Sequence, residues 1–193
     1  MKNEITGMRL RLIVMNFLQF AVWGAYLTSM GTYLFNIGLG AKIGLFYAMQ
    51  GIVSLFMPAI MGIIADRWVP AQKLYGFCHF MAAVFMVAAG WYGYVDGEAV
   101  NFGTLFTFYS LSVAFYMPTL ALTNSVAYTA LDKVKLDPVI AFPPIRIFGT
   151  IGFICSMLLT DILGFQNNYM QFFSCACFGA VSYTHLRAHE TRS

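Results

Sequence analysis

Charge is what this sequence has least of. Only 10% of its 193 residues are charged, while 60% are hydrophobic. A soluble domain of this size carries roughly 25% charged residues. A water-soluble fold is therefore excluded and an integral membrane protein is indicated, in keeping with the mean hydropathy of +0.71. The net charge of +3 is small, and no basic cluster is interleaved with aromatics in a polar segment, so nothing points to nucleic acid as a partner. Cysteine is scarce as well. Cys78, Cys155, Cys175 and Cys177 all fall in apolar stretches, and none forms a Cys-x-x-Cys pair. Cys175 and Cys177, two apart, do not share a helix face. These thiols read as small buried hydrophobes and not as metal ligands. Paired intramembrane carboxylates, a nucleophile with its base, and a phosphate loop are all missing, so the sequence does not read as an enzyme and no cofactor or metal is implied. Residues 10–160 place no carboxylate deep in a hydrophobic run.

What the chain has in quantity is long hydrophobic runs. A membrane-spanning helix needs about 20 mostly apolar residues. Residues 10–35, 41–65, 74–94, 102–128 and 145–163 each fit, and a sixth run begins near 169. The expected fold class is all-α, a polytopic transmembrane helix bundle. The first run follows Arg9 and Arg11 and is too long for a signal-peptide core, so it reads as a retained helix. With the N-terminus in the cytoplasm, and Arg187 and Arg192 near the C-terminus left out, Lys2, Arg9, Arg11, Arg67, Lys73, Lys133, Lys135 and Arg146 fall on inner flanks and only Lys42 falls outside. That bias obeys the positive-inside rule.

The sixth run stops early. Residues 169–181 span only about 20 Å as a helix, against a hydrocarbon core of about 30 Å. Residues 182–193 then bring arginine, histidine and glutamate to mid-bilayer depth, which is costly. They resemble translated adapter DNA and are expected to be a non-native tail. His185 and His189, four apart, are not expected to bind metal.

Polar residues inside the runs are candidate contacts. Asn16, Gln19 and Trp23 share a face of the first helix, where amides and an indole can bond a solute or another helix. Asn16 reads as a packing residue, and Gln19 and Trp23 as candidate solute contacts. His79 in the third run reads as hydrogen-bonded within the bundle. Ser112, Tyr116, Thr119 and Thr123 form a stripe that must face the bundle or a wet cavity, because lipid will not solvate it. The second run ends in Gly62-Ile63-Ile64-Ala65-Asp66-Arg67.

The richest stretch is Phe142-Pro143-Pro144-Ile145-Arg146-Ile147-Phe148-Gly149-Thr150-Ile151-Gly152-Phe153. On a helix Arg146, Thr150, Phe153 and Met157 share a face. Gly149, Gly152 and Ser156 form an adjacent small-residue stripe that admits a neighbouring helix. With Pro144 at the first helical position, Arg146 would lie near the positive end of the helix dipole, where a cation does not help the helix. An anchoring role at the helix end and a solute-binding role both stay open on spacing alone.

Gly-x-x-x-Asp-Arg at the inner end of a second helix resembles the signature loop of the major facilitator superfamily. Val69 and Pro70 stand where that loop usually carries another glycine and more basic residues, and only Lys73 follows. Phe17-Leu18-Gln19-Phe20 with Trp23-Gly24, Phe56-Met57-Pro58-Ala59, Cys78-His79, Tyr116-Met117-Pro118-Thr119-Leu120 and the 142–153 stretch resemble the bacterial nucleoside:proton symporters of that superfamily. The resemblance covers nearly all of residues 10–181.

It implies a twelve-helix transporter of two halves, with residues 1–181 the N-terminal six-helix half, cut within helix six, and a missing C-terminal half as partner. It implies import of nucleosides with protons by alternating access across a bacterial inner membrane. By motif position Arg146, Thr150 and Phe153 would line the nucleoside site, with Gln19 and Trp23 in the same cavity. Asp66 and Arg67 would help latch the cytoplasmic gate. The proton-carrying acids would belong to the second half. A transporter of another polar solute, such as a sugar, and a non-transporting membrane scaffold are the alternatives.

Overall fold

The computed structural model describes residues 2–190, with the side chains of residues 5–97 and 99–184. Its elements are α1 (Lys2–Gly24), α2 (Met30–Asn36), α3 (Ile43–Arg67), α4 (Ala71–Asp96), α5 (Phe102–Lys133), α6 (Pro138–Ile162) and α7 (Met170–Glu190), with short 3-10 turns between α2 and α3, α4 and α5, and α6 and α7. Among the described residues there is no strand. Among the described residues, five segments are long and apolar enough to cross a membrane: Ile5–Gly24, Gly40–Arg67, Ala71–Asp96, Phe102–Lys133 and Pro138–Ile162. The chain is a multi-pass, all-α membrane bundle.

The first hydrophobic run is not one helix. It breaks over residues 25–29, between α1 and α2. A broken helix frees backbone carbonyls that a bilayer cannot solvate. Here side chains take them: Thr160 Oγ1 donates to the Ala25 carbonyl at 3.2 Å, and Tyr47 Oη donates to that of Leu27 at 2.8 Å.

α6 also departs from expectation. It starts at Pro138, not near 145, with the Asp137 side chain accepting from the Val139 N–H as N-cap. Proline suits the first helical position, where its missing N–H costs nothing. Pro143 and Pro144 therefore lie inside the helix. Arg146 is in the third turn, about 12 Å along the axis from the start, and the helix-dipole argument against an anchoring role falls away.

α7 runs on past Val181 to Glu190. The polarity of 182–190 bears on membrane depth but does not break a helix, because the segment holds neither glycine nor proline. Ser182 is buried, and the Tyr183 ring packs 5.5 Å from that of Phe80. The side chains of His185, Arg187, His189 and Glu190, and residues 191–193, lie outside the described residues.

α1 packs against α6 and α7, α4 against α5 and α7, and α3 against α5. The interior is layered. One apolar cluster includes Val22, Tyr26, Phe46, Met86, Tyr109 and Phe172. The other includes Leu12, Met15, Tyr75, Leu131 and Ile145. Between them along the chain lie the buried polar residues Asn16, Gln19, His79 and Thr119, with buried Thr123 one turn beyond Thr119. Cys78 and Cys175 are buried as expected, but Cys155 and Cys177 are exposed. Their helices turn those positions to the apolar outer surface, which a bilayer covers as readily as a core would.

Candidate functional site

The site forms where α1 and α6 come closest, and glycine sets that approach. A Cβ on Gly152 would lie 3.0 Å from the Phe17 Cα and nearer still to its carbonyl group. A Cβ on Gly24 would press on the Phe153 carbonyl and the Ser156 hydroxyl. Gly149 leaves room for a ring: a Cβ there would meet Phe20 Cδ2 at 2.6 Å and an Arg146 guanidinium nitrogen at 2.9 Å. The small-residue stripe read from the sequence thus packs on α1.

With the backbones this close, four side chains converge. The Arg146 guanidinium lies over the Phe20 ring, its Cζ 3.8 Å from the centroid. The Trp23 and Phe153 rings meet edge to face at 6.1 Å, and Trp23 lies 6.3 Å from Phe20. All four are partly buried. No carboxylate pairs with Arg146 among the described residues. Its planar fork is held on one face by an aromatic quadrupole, and its N–H donors remain free for oxygen acceptors. The Trp23 indole N–H is buried and bonds to nothing in the protein. Thr150, one turn beyond Arg146 on α6, is exposed.

Gln19 stands apart from this group. It is fully buried, and its amide is used inside the bundle. Nε2 donates to Thr119 Oγ1 at 2.7 Å, while Oε1 faces His79 Nε2 at 2.8 Å and accepts from Thr123 Oγ1 at 3.2 Å. Tyr116 Oη donates to the Gln19 carbonyl at 2.6 Å. The amide expected to contact solute is engaged within the bundle: its donors and acceptors join α1 to α4 and α5. The stripe on α5 is the other side of that junction. His79 is bundle-bonded as expected, and Asn16 donates to the Leu12 carbonyl of its own helix at 2.9 Å.

Asp66 and Arg67 end α3, both exposed, with no ion pair to either among the described residues. Phe20 is the member that sequence reasoning missed. Its spacing of three from Trp23 and its place as the last residue of the Phe17-Leu18-Gln19-Phe20 motif were the available signals.

An arginine stacked on aromatics, with rings beside it and a hydroxyl near it, suits a planar, oxygen-rich solute. The description Nucleoside H+ symporter belongs to a protein family whose profile matches residues 6–186, nearly the whole chain.

This chain belongs to the nucleoside H+ symporter family.

Known members agree. Nucleoside permease NupG of Escherichia coli (strain K12) is 38% identical over 178 residues, 91% of this chain and 41% of that protein. Xanthosine permease of the same organism is 40% identical over 166 residues, 85% of this chain and 38% of that protein. The crystal structure of nucleoside transporter NupG superposes with a TM-score of 0.86 at 36% identity, over 94% of this chain and 44% of that one. These likenesses place the bundle in the major-facilitator-type fold class expected from the sequence. The relatives are permeases and transporters, not enzymes. The chain spans about two-fifths of the length of the curated relatives it matches. The family match reaches residue 186, five positions into the segment set aside as a tail.

Proposed function

We propose that this chain forms part of a proton-coupled nucleoside importer of a bacterial inner membrane, and that the Arg146 cluster is its share of the nucleoside site. The observation that carries the reading is the Arg146 guanidinium stacked on Phe20 with Trp23 and Phe153 alongside. Phe153 and Trp23 offer apolar ring surface to a base. Arg146 donates to sugar or base oxygens through its fork, and exposed Thr150 adds a hydroxyl. Gln19 acts from behind, fixing α1 one residue before Phe20. The titrating group that carries the proton comes from the part of the relatives' length that this chain does not span. That further part is also the cover for the exposed side of the cluster.

The distribution of Lys and Arg supports a cytoplasmic N-terminus. In that orientation Asp66 and Arg67 face the cytoplasm at the end of α3. Both are free to pair across a closing gate.

The test is uptake of radiolabelled uridine by the complete gene product in cells that lack other nucleoside carriers, with competitors. Competition by unlabelled uridine and inosine is the expected result. Inhibition by organic acids alone would sink the nucleoside assignment and make Arg146 a charge partner. Inhibition by sugars alone would favour a carrier of another polar solute, and no uptake of any solute would favour the scaffold.

A further inference from the structure

We propose that the core of this bundle holds one ordered water molecule between His79 Nδ1 and Tyr26 Oη. A cavity of about 10 Å³ lies where α4, α5, α7 and the break after α1 converge, lined by Tyr26, His79, Ala82, Ser112, Tyr116 and Cys175 among others. That is close to the smallest space that admits a single water. Tyr26 is 1% exposed and His79 is fully buried. The Tyr26 hydroxyl and His79 Nδ1 have no hydrogen-bond partner in the protein, and both residues line this cavity.

The neighbouring network sets which of the two donates. The Thr119 hydroxyl gives its proton to the Tyr116 carbonyl at 2.6 Å, so its oxygen accepts from Gln19 Nε2. The Gln19 carbonyl oxygen then faces His79 Nε2, which carries the ring proton. His79 Nδ1 is left as a bare acceptor, while the Tyr26 O–H is a donor without an acceptor. A direct bond between them is not formed. One water satisfies both, accepting from Tyr26 and donating to His79 Nδ1. Its second proton has the Ser112 or Tyr116 hydroxyl oxygen as acceptor. Each of these donates its own proton to a carbonyl, Ser112 to Ala82 at 2.8 Å and Tyr116 to Gln19 at 2.6 Å, and keeps lone pairs. Three bonds is the usual number for a buried water. No carboxylate lines the cavity and there is space for one small molecule, so a cation or a larger solute does not fit.

The water extends the Gln19 network to the break after α1, and does so whether or not the nucleoside reading holds. The deciding experiment is a structure of the complete gene product, at a resolution that resolves other buried waters. A density peak within about 2.6–3.2 Å of both atoms is expected. An empty cavity, or Tyr26 turned to bond His79 directly, would overturn the proposal. In protein with ¹⁵N-labelled histidine, Ala82→Val fills the cavity. It should move the His79 Nδ1 resonance toward that of an unbonded imine nitrogen. An unmoved resonance counts against the water, and if the variant does not fold, the wild-type density decides alone.

Discussion

At the scale of residues, Arg146 and Gln19 are both polar groups inside a hydrophobic chain, yet their surroundings give them opposite work. Arg146 has an aromatic face on one side and no acid partner, so its fork remains available. Removing it should leave the bundle intact and remove contacts that only a bound solute completes. Arg146→Ala is expected to lower uptake efficiency about 10- to 100-fold, the scale of a lost charge-assisted hydrogen bond, at unchanged membrane abundance. Wild-type uptake by that variant would return the residue to an anchoring role. Phe20→Leu should raise KM about 2- to 30-fold through the lost cation–π contact, and Phe20→Tyr should restore it; equal effects of the two changes would assign Phe20 to packing. Gln19→Leu should act on stability, because it leaves His79, Thr119 and Thr123 without their shared partner. A drop of about 1 kcal/mol is expected, read as a lower unfolding midpoint in detergent. Spacing made Arg146, Thr150 and Phe153 legible as one face. It did not separate Gln19 from Trp23, since four residues on a helix put both on one side and only the neighbouring helices divide them.

Among the elements, the pair α1 and α6 decides the geometry of the site. Gly152 rests on the Phe17 backbone, which cannot swing aside as a side chain can. Gly152→Ala should therefore push the helices apart, destabilise the protein by about 1–3 kcal/mol and impair uptake together with stability. Gly44→Ala, where an added Cβ meets nothing within 4 Å, is the control and should be near neutral. A Gly152→Ala protein as stable as wild type would mean that the helices pack less tightly than described. The small-residue stripe was readable in the sequence because its period is helical. The start of α6 was not, since two prolines at 143 and 144 mark a helix start as well as they mark an interior. The choice fell to Asp137 and Pro138, which form a better cap. The break after α1 was equally hidden. Residues 25–29 are apolar enough to continue a helix, and what stabilises the interruption is supplied by Thr160 and Tyr47 from elsewhere in the chain.

For the whole molecule, the orientation proposal yields its own test. Reporter fusions at Lys135 should report a cytoplasmic location and fusions at Gly97 an external one; the reverse pattern would overturn the inside assignment of Asp66 and Arg67. Hydrophobic amount and the spacing of polar breaks determined the all-α membrane bundle and its number of long spans, because the bilayer demands about 20 apolar residues per crossing whatever the packing. Motif content determined the family on the same residues that the family match covers. What tertiary structure alone decided was the partner of each buried polar group. Helical periodicity assigns a residue to a face, but which neighbour that face meets depends on how α1, α4, α5 and α6 are arranged in space. That arrangement gave Phe20 to Arg146, gave Gln19 to His79 and the α5 threonines, and left Tyr26 and His79 lining one small cavity, each with a polar atom that no protein group bonds.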